Sequence, residues 1–196
     1  MAHSSAVTAR PMVLADVLPR SLARDAALVV GFAGLTGLAA QVSIPLGFTP
    51  VPLTLQTFAV LTTGAALGAR RALAAIALYA VAGVAGVPWF AGGQSGLGGA
   101  SFGYVLGFVL AAVVVGAIAD RGATRSSVRT LVAFVVGSAL VYAVGVPWLA
   151  ASLGVGLGKA LSLGAIPFLA GDVIKALAAA GLLPLTWKLV ERIERG

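Results

Sequence analysis

The sequence lacks the side chains on which much protein chemistry depends. It contains no cysteine and one histidine, His3, which lies in a polar leader. These absences exclude disulfides, thiol nucleophiles and thiolate metal sites, and they exclude a histidine base or a histidine metal site in the body of the chain. We interpret His3 as part of a solvated terminus.

Charged residues are also scarce. They make up 10% of the 196 residues, whereas 60% of the residues are hydrophobic; soluble domains have about 25% and about 45–50%. A water-soluble core cannot hide such an excess. The apolar residues form runs of about 17 to 24, the length that crosses the hydrocarbon region of a bilayer. The composition therefore predicts an all-α polytopic membrane protein.

Motifs for nucleotide hydrolysis and nucleophilic catalysis are absent. The stretch "GVGLGKAL" around Lys159 lacks the spacing of a phosphate-binding loop and the hydroxyl after its lysine, so we expect no ATP hydrolysis by that route. The stretch "GQSGL" ends in Leu97 where the nucleophile elbow needs a second glycine, and no histidine base is available. An intramembrane enzyme would need an acid–base set that this sequence does not supply.

The apolar segments and the cations together predict the topology. Lys and Arg fall at alternate breaks, so one side collects nearly all of them, whereas the other has only Lys159. Cytoplasmic loops carry such an excess, which predicts six transmembrane helices with both termini cytoplasmic. Basic blocks with interleaved aromatic residues are absent, so no nucleic-acid partner is expected. The predicted spans are 25–44, 55–69, 72–88, 103–119, 130–151 and 167–189, in a membrane domain of residues 25–190 between a leader (1–24) and a tail (191–196).

Three long connections lie on the charge-poor side, at about 45–54, 88–102 and 152–166. They are rich in glycine, proline and aromatic residues, unlike solvated loops. We expect these connections to fold back over the outer mouth of the helix bundle.

Away from their ends, the spans contain only two charged residues, Asp172 and Lys175. Their spacing of three places both on one helix face, and helical side chains lean toward the helix N-terminus, here the outer surface. A charge at the centre of a span costs about 2.5–3.5 kcal/mol. One interpretation is a structural ion pair; the other, which we favour, is a site for a ligand with polar groups of its own. Lys175 can meet a carboxylate, and Asp172 can accept N–H donors or hold the lysine.

Further polar and aromatic residues are expected around the same mouth. An amide offers both a donor and an acceptor, so each of the two glutamines either binds a ligand or caps a loop. The aromatic residues are either ligand contacts or members of an interfacial belt. The candidates are Gln56, Phe90, Gln94, Tyr104 and Tyr142.

Small residues recur four apart in the first span, at Ala23, Ala27 and Gly31, with Ala33 and Gly37 on an adjoining face. Small residues let helix backbones approach closely in lipid. The pattern indicates either packing within the bundle or the docking of a second protein.

Four motifs in order give the chain a family resemblance. With "FTPVPLTLQT" at 48–57, "GVPWFAGGQSGLGG" at 86–99, "GYVLGF" at 103–108 and "IPFLAGDVIKA" at 166–176, the chain resembles the BioY family. Members of that family are biotin-binding substrate components of energy-coupling factor (ECF) transporters. The resemblance extends over about residues 25–190.

The resemblance implies a six-helix bundle in a bacterial or archaeal cytoplasmic membrane. It implies that biotin binds near the outer face, with Asp172 and Lys175 among its contacts. It also implies a membrane coupling protein and two ATPase subunits as partners, which use the ATP, so no cofactor is expected in this chain. The small residues Ala27 and Gly31 of helix one are then expected to help form the partner contact. A self-sufficient, ion-coupled vitamin transporter, with Asp172 as its proton carrier, remains the alternative.

Overall fold

A computed structural model describes residues 12–193 and residue 195. His3, Arg10 and the start of the leader therefore lie outside the described residues. Within the described part the chain forms seven α-helices and one two-stranded hairpin. In chain order these are α1 (Leu22–Gln41), β1 (Ser43–Ile44), β2 (Leu53–Thr54), α2 (Gln56–Leu67), α3 (Ala69–Val84), α4 (Phe102–Ala119), α5 (Ser127–Leu153), α6 (Leu157–Gly164) and α7 (Leu169–Ile193).

Each of the six predicted spans corresponds to one helix, with three local differences. Helix α1 begins early, because the Ser21 side chain caps it by accepting the Arg24 N–H at 3.1 Å. The prediction that residues 42–44 are helical is wrong, because Ser43 and Ile44 pair with Thr54 and Leu53 in an antiparallel hairpin. Helix α3 ends before residue 88, since the chain turns at Gly86, whose φ of +112° favours glycine.

The third charge-poor connection is more regular than a folded-back loop. It contains the short helix α6, which ends where the 3₁₀ turn Ile166–Phe168 leads into α7. Its apolar residues Ala160 and Ala165 pack against Val146 and Ala150 of α5. The sequence analysis did not predict this helix, since eight residues are too few for a clear periodic pattern.

Helix α4 forms the centre of the bundle. It packs against α2, α3 and α5, while α1 packs on α3 and α2, and α7 packs on α5. In the apolar stretch of α4, 61% of the residues are buried inside the bundle, whereas in that of α1 only 17% are buried. Helix α1 is therefore peripheral, and most of its surface is available for other contacts.

The outward faces of the peripheral helices are apolar. Leu22 and Leu38 of α1 are 87% and 71% exposed, and Val173, Ile174 and Leu177 of α7 are also exposed. Such a continuous apolar surface is stable against lipid and not against water. In the part of the chain that the structure describes, four segments are long and apolar enough to cross a membrane: Leu22–Gln41, Phe102–Ala119, Ser127–Leu153 and Leu157–Ile193. The protein is accordingly a mostly helical, multi-pass membrane protein.

The two ends of the bundle differ in charge. We call the end with the starts of α1, α3 and α5 and the end of α7 the basic end, and the opposite one, with the long connections, the loop end. At the basic end Arg71 pairs with Asp16 at 3.0 Å and with Asp25 at 3.1 Å, and Arg24 also pairs with Asp25. These pairs hold the segment before α1 against α3, where Val13 is buried.

Glycines let α2 and α4 pack backbone to backbone. A Cβ on Gly64 would lie 2.6 Å from the Ala112 carbonyl oxygen, and one on Gly116 would lie 2.5 Å from the Ala69 nitrogen. The turn between α2 and α3 consists of Gly68 alone, with φ of +77°. The Asp120 carboxylate at the end of α4 accepts the Ala69 N–H at 3.1 Å and fills the space beside this turn.

We predict that Gly68→Ala lowers thermal stability. A Cβ there would overlap the Asp120 carboxylate, and the conformation of Gly68, with φ of +77° and ψ of 170°, is adopted almost only by glycine and costs other residues about 1–3 kcal/mol. The measurement is thermal unfolding of the purified protein in detergent. Gly181→Ala is the matched control, since Gly181 is helical with open space around it; an equal loss of stability in both variants would contradict the role of the turn.

Candidate ligand-binding site

A cavity of about 310 Å³ lies at the loop end, within the range of small-molecule sites. Its walls come from α2, α4, α5 and α7 and from the first two long connections. All seven residues that the sequence analysis proposed for ligand binding line it. They are Gln56, Phe90, Gln94, Tyr104, Tyr142, Asp172 and Lys175.

The polar part of the cavity centres on Asp172 and Lys175. Both lie on one face of α7, near its start, with the Lys175 Nζ 3.2 Å from Asp172 Oδ1. Lys175 also donates to the Thr57 hydroxyl of α2 at 2.7 Å, and the Tyr142 hydroxyl of α5 donates to Asp172 Oδ2. Three helices therefore hold the pair, and the side chains of Asp172 and Lys175 are only 10% and 13% exposed.

Two glutamines add amide groups to the cavity. Gln56 is 4% exposed, and its amide nitrogen donates to the Tyr79 hydroxyl at 2.6 Å. This bond orients the amide and leaves its carbonyl oxygen as an acceptor for a ligand. Gln94 is exposed, and its backbone carbonyl accepts the Phe90 N–H at 2.9 Å. Its side chain is therefore held at the mouth by a tight turn, in which Gly92 and Gly93 have positive φ.

Aromatic rings form much of the apolar wall. Phe90 lies against Phe102, with ring centroids 6.2 Å apart, and Phe102 meets Trp148 edge to face at 5.5 Å. Phe108 of α4 and Phe168 before α7 complete the lining. Such rings give a ligand with an apolar body large contact areas.

The Tyr104 hydroxyl is engaged within the protein. It donates to the Gly164 carbonyl oxygen at 2.7 Å and so ties α4 to the end of α6. A Cβ on Gly145 of α5 would overlap the Tyr104 ring, and a Cβ on Gly164 would overlap its hydroxyl. Tyr104 therefore contributes its ring to the cavity wall, and the hydrogen bond of its hydroxyl to Gly164 fixes the position of that ring.

Two tryptophans near the mouth of the cavity, Trp89 and Trp148, are structural. Trp89 packs on Gly37 of α1, and its Nε1 donates to the Tyr79 carbonyl oxygen at 3.0 Å. Trp148 donates to the Gly99 carbonyl oxygen at 3.1 Å. Both indoles fasten the second long connection to the bundle, and neither is among the residues that line the cavity.

Sequence reasoning missed Thr57. The Gln56–Thr57 pair stands at the start of α2, but nothing in the spacing indicates which of the two meets α7. The one available signal was the Lys175 ammonium group, whose three donors need more acceptors than Asp172 alone supplies.

The small residues of α1 divide into two groups. Ala33 and Gly37 are buried inside the bundle, whereas Ala23, Ala27 and Gly31 are exposed. A Cβ on Gly31 would meet nothing within 4 Å. None of the α1 residues lines the cavity, so the exposed group belongs to a separate surface.

Metal ligands do not cluster in the described part of the chain. Among residues 12–193 and 195, no group of three or more His, Cys, Asp or Glu side chains comes together. The cavity therefore offers a ligand one ammonium group, one carboxylate, amides, hydroxyls and aromatic rings.

A multi-pass helical bundle with an amphipathic cavity at one end defines a membrane-embedded protein that binds a small solute. Comparison with known families identifies the family to which this membrane protein belongs. The model of the BioY family matches residues 7–192, and the chain belongs to this family.

Relatives of the chain carry the same family name. The chain is 37% identical to "Probable biotin transporter BioY" of Pyrococcus horikoshii over 160 residues, which cover 80% of this chain and 92% of the relative. It is 39% identical to "Biotin transporter BioY" of Thermotoga maritima over 171 residues, 84% of this chain and 95% of the relative. Both alignments span nearly the whole relative.

A solved structure shares the fold. It is the S-component for biotin from an ECF-type ABC transporter, with a TM-score of 0.77 and 22% identity. The match covers 87% of this chain and 95% of that one. At this identity the likeness establishes the helix arrangement.

A double-mutant cycle tests whether the charged pair is structural. We predict that Lys175→Met lowers stability by about 3 kcal/mol, because it leaves a carboxylate unpaired in an apolar bundle. The double variant Asp172→Asn with Lys175→Met should recover most of that loss. The measurement is thermal unfolding in detergent. Lys159→Met, at an exposed position of α6, is the control and should leave stability unchanged.

Proposed function

We propose that this chain captures biotin at the outer face of the cytoplasmic membrane and serves as the substrate-binding component of an ECF-type transporter. The observation that carries the proposal is the meeting of Asp172, Lys175 and the two glutamines in one cavity of a BioY-family protein. The names of the relatives, biotin transporters, support the same substrate.

The chemistry of biotin suits this cavity. Biotin has a carboxylate at one end, a ureido group with two N–H donors and a carbonyl at the other, and an apolar ring and chain between them. Lys175 can neutralise the carboxylate, or it can donate to the ureido carbonyl while Asp172 accepts the N–H groups. The aromatic wall then covers the apolar middle, as in pockets that combine apolar lining with a few placed polar groups.

The proposed topology has six crossings with both termini in the cytoplasm. Four segments meet the length criterion for crossing a membrane; α2, with 12 residues, and α3, with 16, are shorter. Both are packed against α4 inside the bundle, which lets a short helix cross with its ends in protein. The basic end then faces the cytoplasm, and the membrane domain is residues 25–190 between a leader and a tail.

The proposed partners are a membrane coupling protein and two ATPase subunits, which use the ATP. Helix α1 supports such an assembly, because Ala27 and Gly31 lie on an exposed strip where a partner helix can approach closely. Docking there leaves the cavity unobstructed.

We predict that Asp172→Asn and Lys175→Met each weaken biotin binding at least about tenfold, or about 1.4 kcal/mol. Each change removes a charge that faces a polar group of the ligand. The measurement is calorimetric titration of the purified, folded protein with biotin. Lys159→Met is the control; unchanged affinity in both site variants would refute the site.

A biotin analogue without the carboxylate tests which end of the ligand contacts Lys175. If Lys175 meets the carboxylate, binding of this analogue is insensitive to Lys175→Met. If Lys175 meets the ureido group, the variant weakens binding of biotin and of the analogue alike.

We predict that Gly31→Leu disrupts assembly with the coupling protein and leaves biotin affinity unchanged. A leucine there would hold the partner helix away from the exposed strip. The measurement is co-purification with the coupling and ATPase subunits of the same organism. Gly181→Leu, on an exposed face of α7 with open space around it, is the control. Equal complex yield in both variants would place the partner elsewhere.

Uptake by the protein alone separates the ECF proposal from the ion-coupled alternative. Vesicles that contain only this chain should not accumulate biotin when an ion gradient is imposed. Accumulation driven by a proton gradient, and lost in Asp172→Asn, would favour Asp172 as a proton carrier.

A further inference from the structure

The last turns of α7 carry a stripe of charge that the biotin site does not use. Lys188, Glu191 and Arg192 are spaced by three and four, which places them on one face of α7, and Arg195 follows the end of the helix. They line a concavity of about 180 Å³ at the basic end, and no other described residue contributes to its lining.

The carboxylate in this stripe is already neutralised. Glu191 accepts a bond from Arg125, between α4 and α5, at 2.5 Å. The Arg125 guanidinium lies 3.8 Å from the ring centroid of Trp187, and the buried indole donates to the Thr124 hydroxyl at 3.0 Å. Glu191 is thus fixed against the bundle, on a rigid base.

Within residues 12–193 and 195, the three cations of the stripe, Lys188, Arg192 and Arg195, have no carboxylate partner of their own. Their common concavity therefore attracts an anion, and guanidinium groups suit phosphate oxygens in particular.

The adjoining face of α7 indicates the source of the anion. Leu185, Leu189 and Ile193 are exposed beside the stripe, at 53%, 49% and 81%. An apolar face next to a basic one places this turn where the hydrocarbon meets the headgroups. A lipid can lay its chains along the leucines while its phosphate meets the cations.

We propose that Lys188, Arg192 and Arg195 form a binding site for the phosphate of an anionic phospholipid headgroup. The site is independent of the biotin cavity, which lies at the opposite end of the bundle. Positive charge at a helix C-terminus also complements the helix dipole, but that effect requires neither a shared concavity nor a particular lipid.

The test is retention of phosphatidylglycerol, compared with phosphatidylcholine of the same chains, by native mass spectrometry of the purified protein. The triple variant Lys188→Gln, Arg192→Gln, Arg195→Gln should retain at least about twentyfold less phosphatidylglycerol, and Arg192→Gln alone about fivefold less. The single variant keeps the test decisive if the triple variant does not fold. The matched control removes three exposed arginines at the same end, Arg20, Arg70 and Arg121, and should retain phosphatidylglycerol as the unmodified protein does.

Four results would overturn the proposal. These are an equal loss in the control variant, undiminished retention in the α7 variants, equal retention of the two lipids by the unmodified protein, and displacement of the lipid by millimolar inorganic phosphate. The last would mean that the site takes a free anion.

Discussion

The Asp172–Lys175 pair is the constraint on which the loop end of this protein depends. Two charges in an apolar bundle are tolerated only with partners, and here Tyr142 and Thr57 supply them from α5 and α2. The pair therefore ties α7 to two other helices at the level of the cavity. A residue pair that only stabilised the bundle could be replaced by apolar side chains of similar volume. Asp172 and Lys175 also line a cavity of about 310 Å³, which is why we propose a ligand-binding role for them.

Close packing at the basic end of the bundle is achieved with small residues. Gly64 and Gly116 bring α2 and α4 into backbone contact, and Gly68 turns the chain within one residue. These contacts close the basic end of the bundle. At the loop end the rings of Phe90, Phe102 and Tyr104 line the cavity together with residues of the hairpin and of the second connection. Glycines also allow close packing around these rings, since Gly145 lies against the Tyr104 ring.

Much of the fold could be predicted from the sequence, because the length of an apolar segment and the charges at its ends are local features that can be read directly. The six helices, the position of the charged pair and the residues around the mouth were predictable in this way. The hairpin of Ser43–Ile44 with Leu53–Thr54 was not, since two-residue strands carry no periodic signal. Nor was the Lys175–Thr57 bond, which joins residues 118 apart in sequence. For Tyr104 the sequence indicated the cavity, but only the fold shows that its hydroxyl is used by Gly164.

Helix α1 is fastened to the bundle at both of its ends, and its outward strip of small residues is separate from the cavity. At its start Arg24 and Asp25 join the ion pairs around Arg71, and at its end the Gln41 amide donates to the Trp89 and Phe90 carbonyl oxygens at 3.1 and 3.3 Å. Between these ends the Ala27–Gly31 strip faces outward. Phe90 lines the cavity, so the Gln41 bonds are a direct contact between α1 and the site wall. A contact on the Ala27–Gly31 strip therefore leaves the cavity uncovered, while the Gln41 hydrogen bonds keep the end of α1 joined to the backbone that carries Phe90.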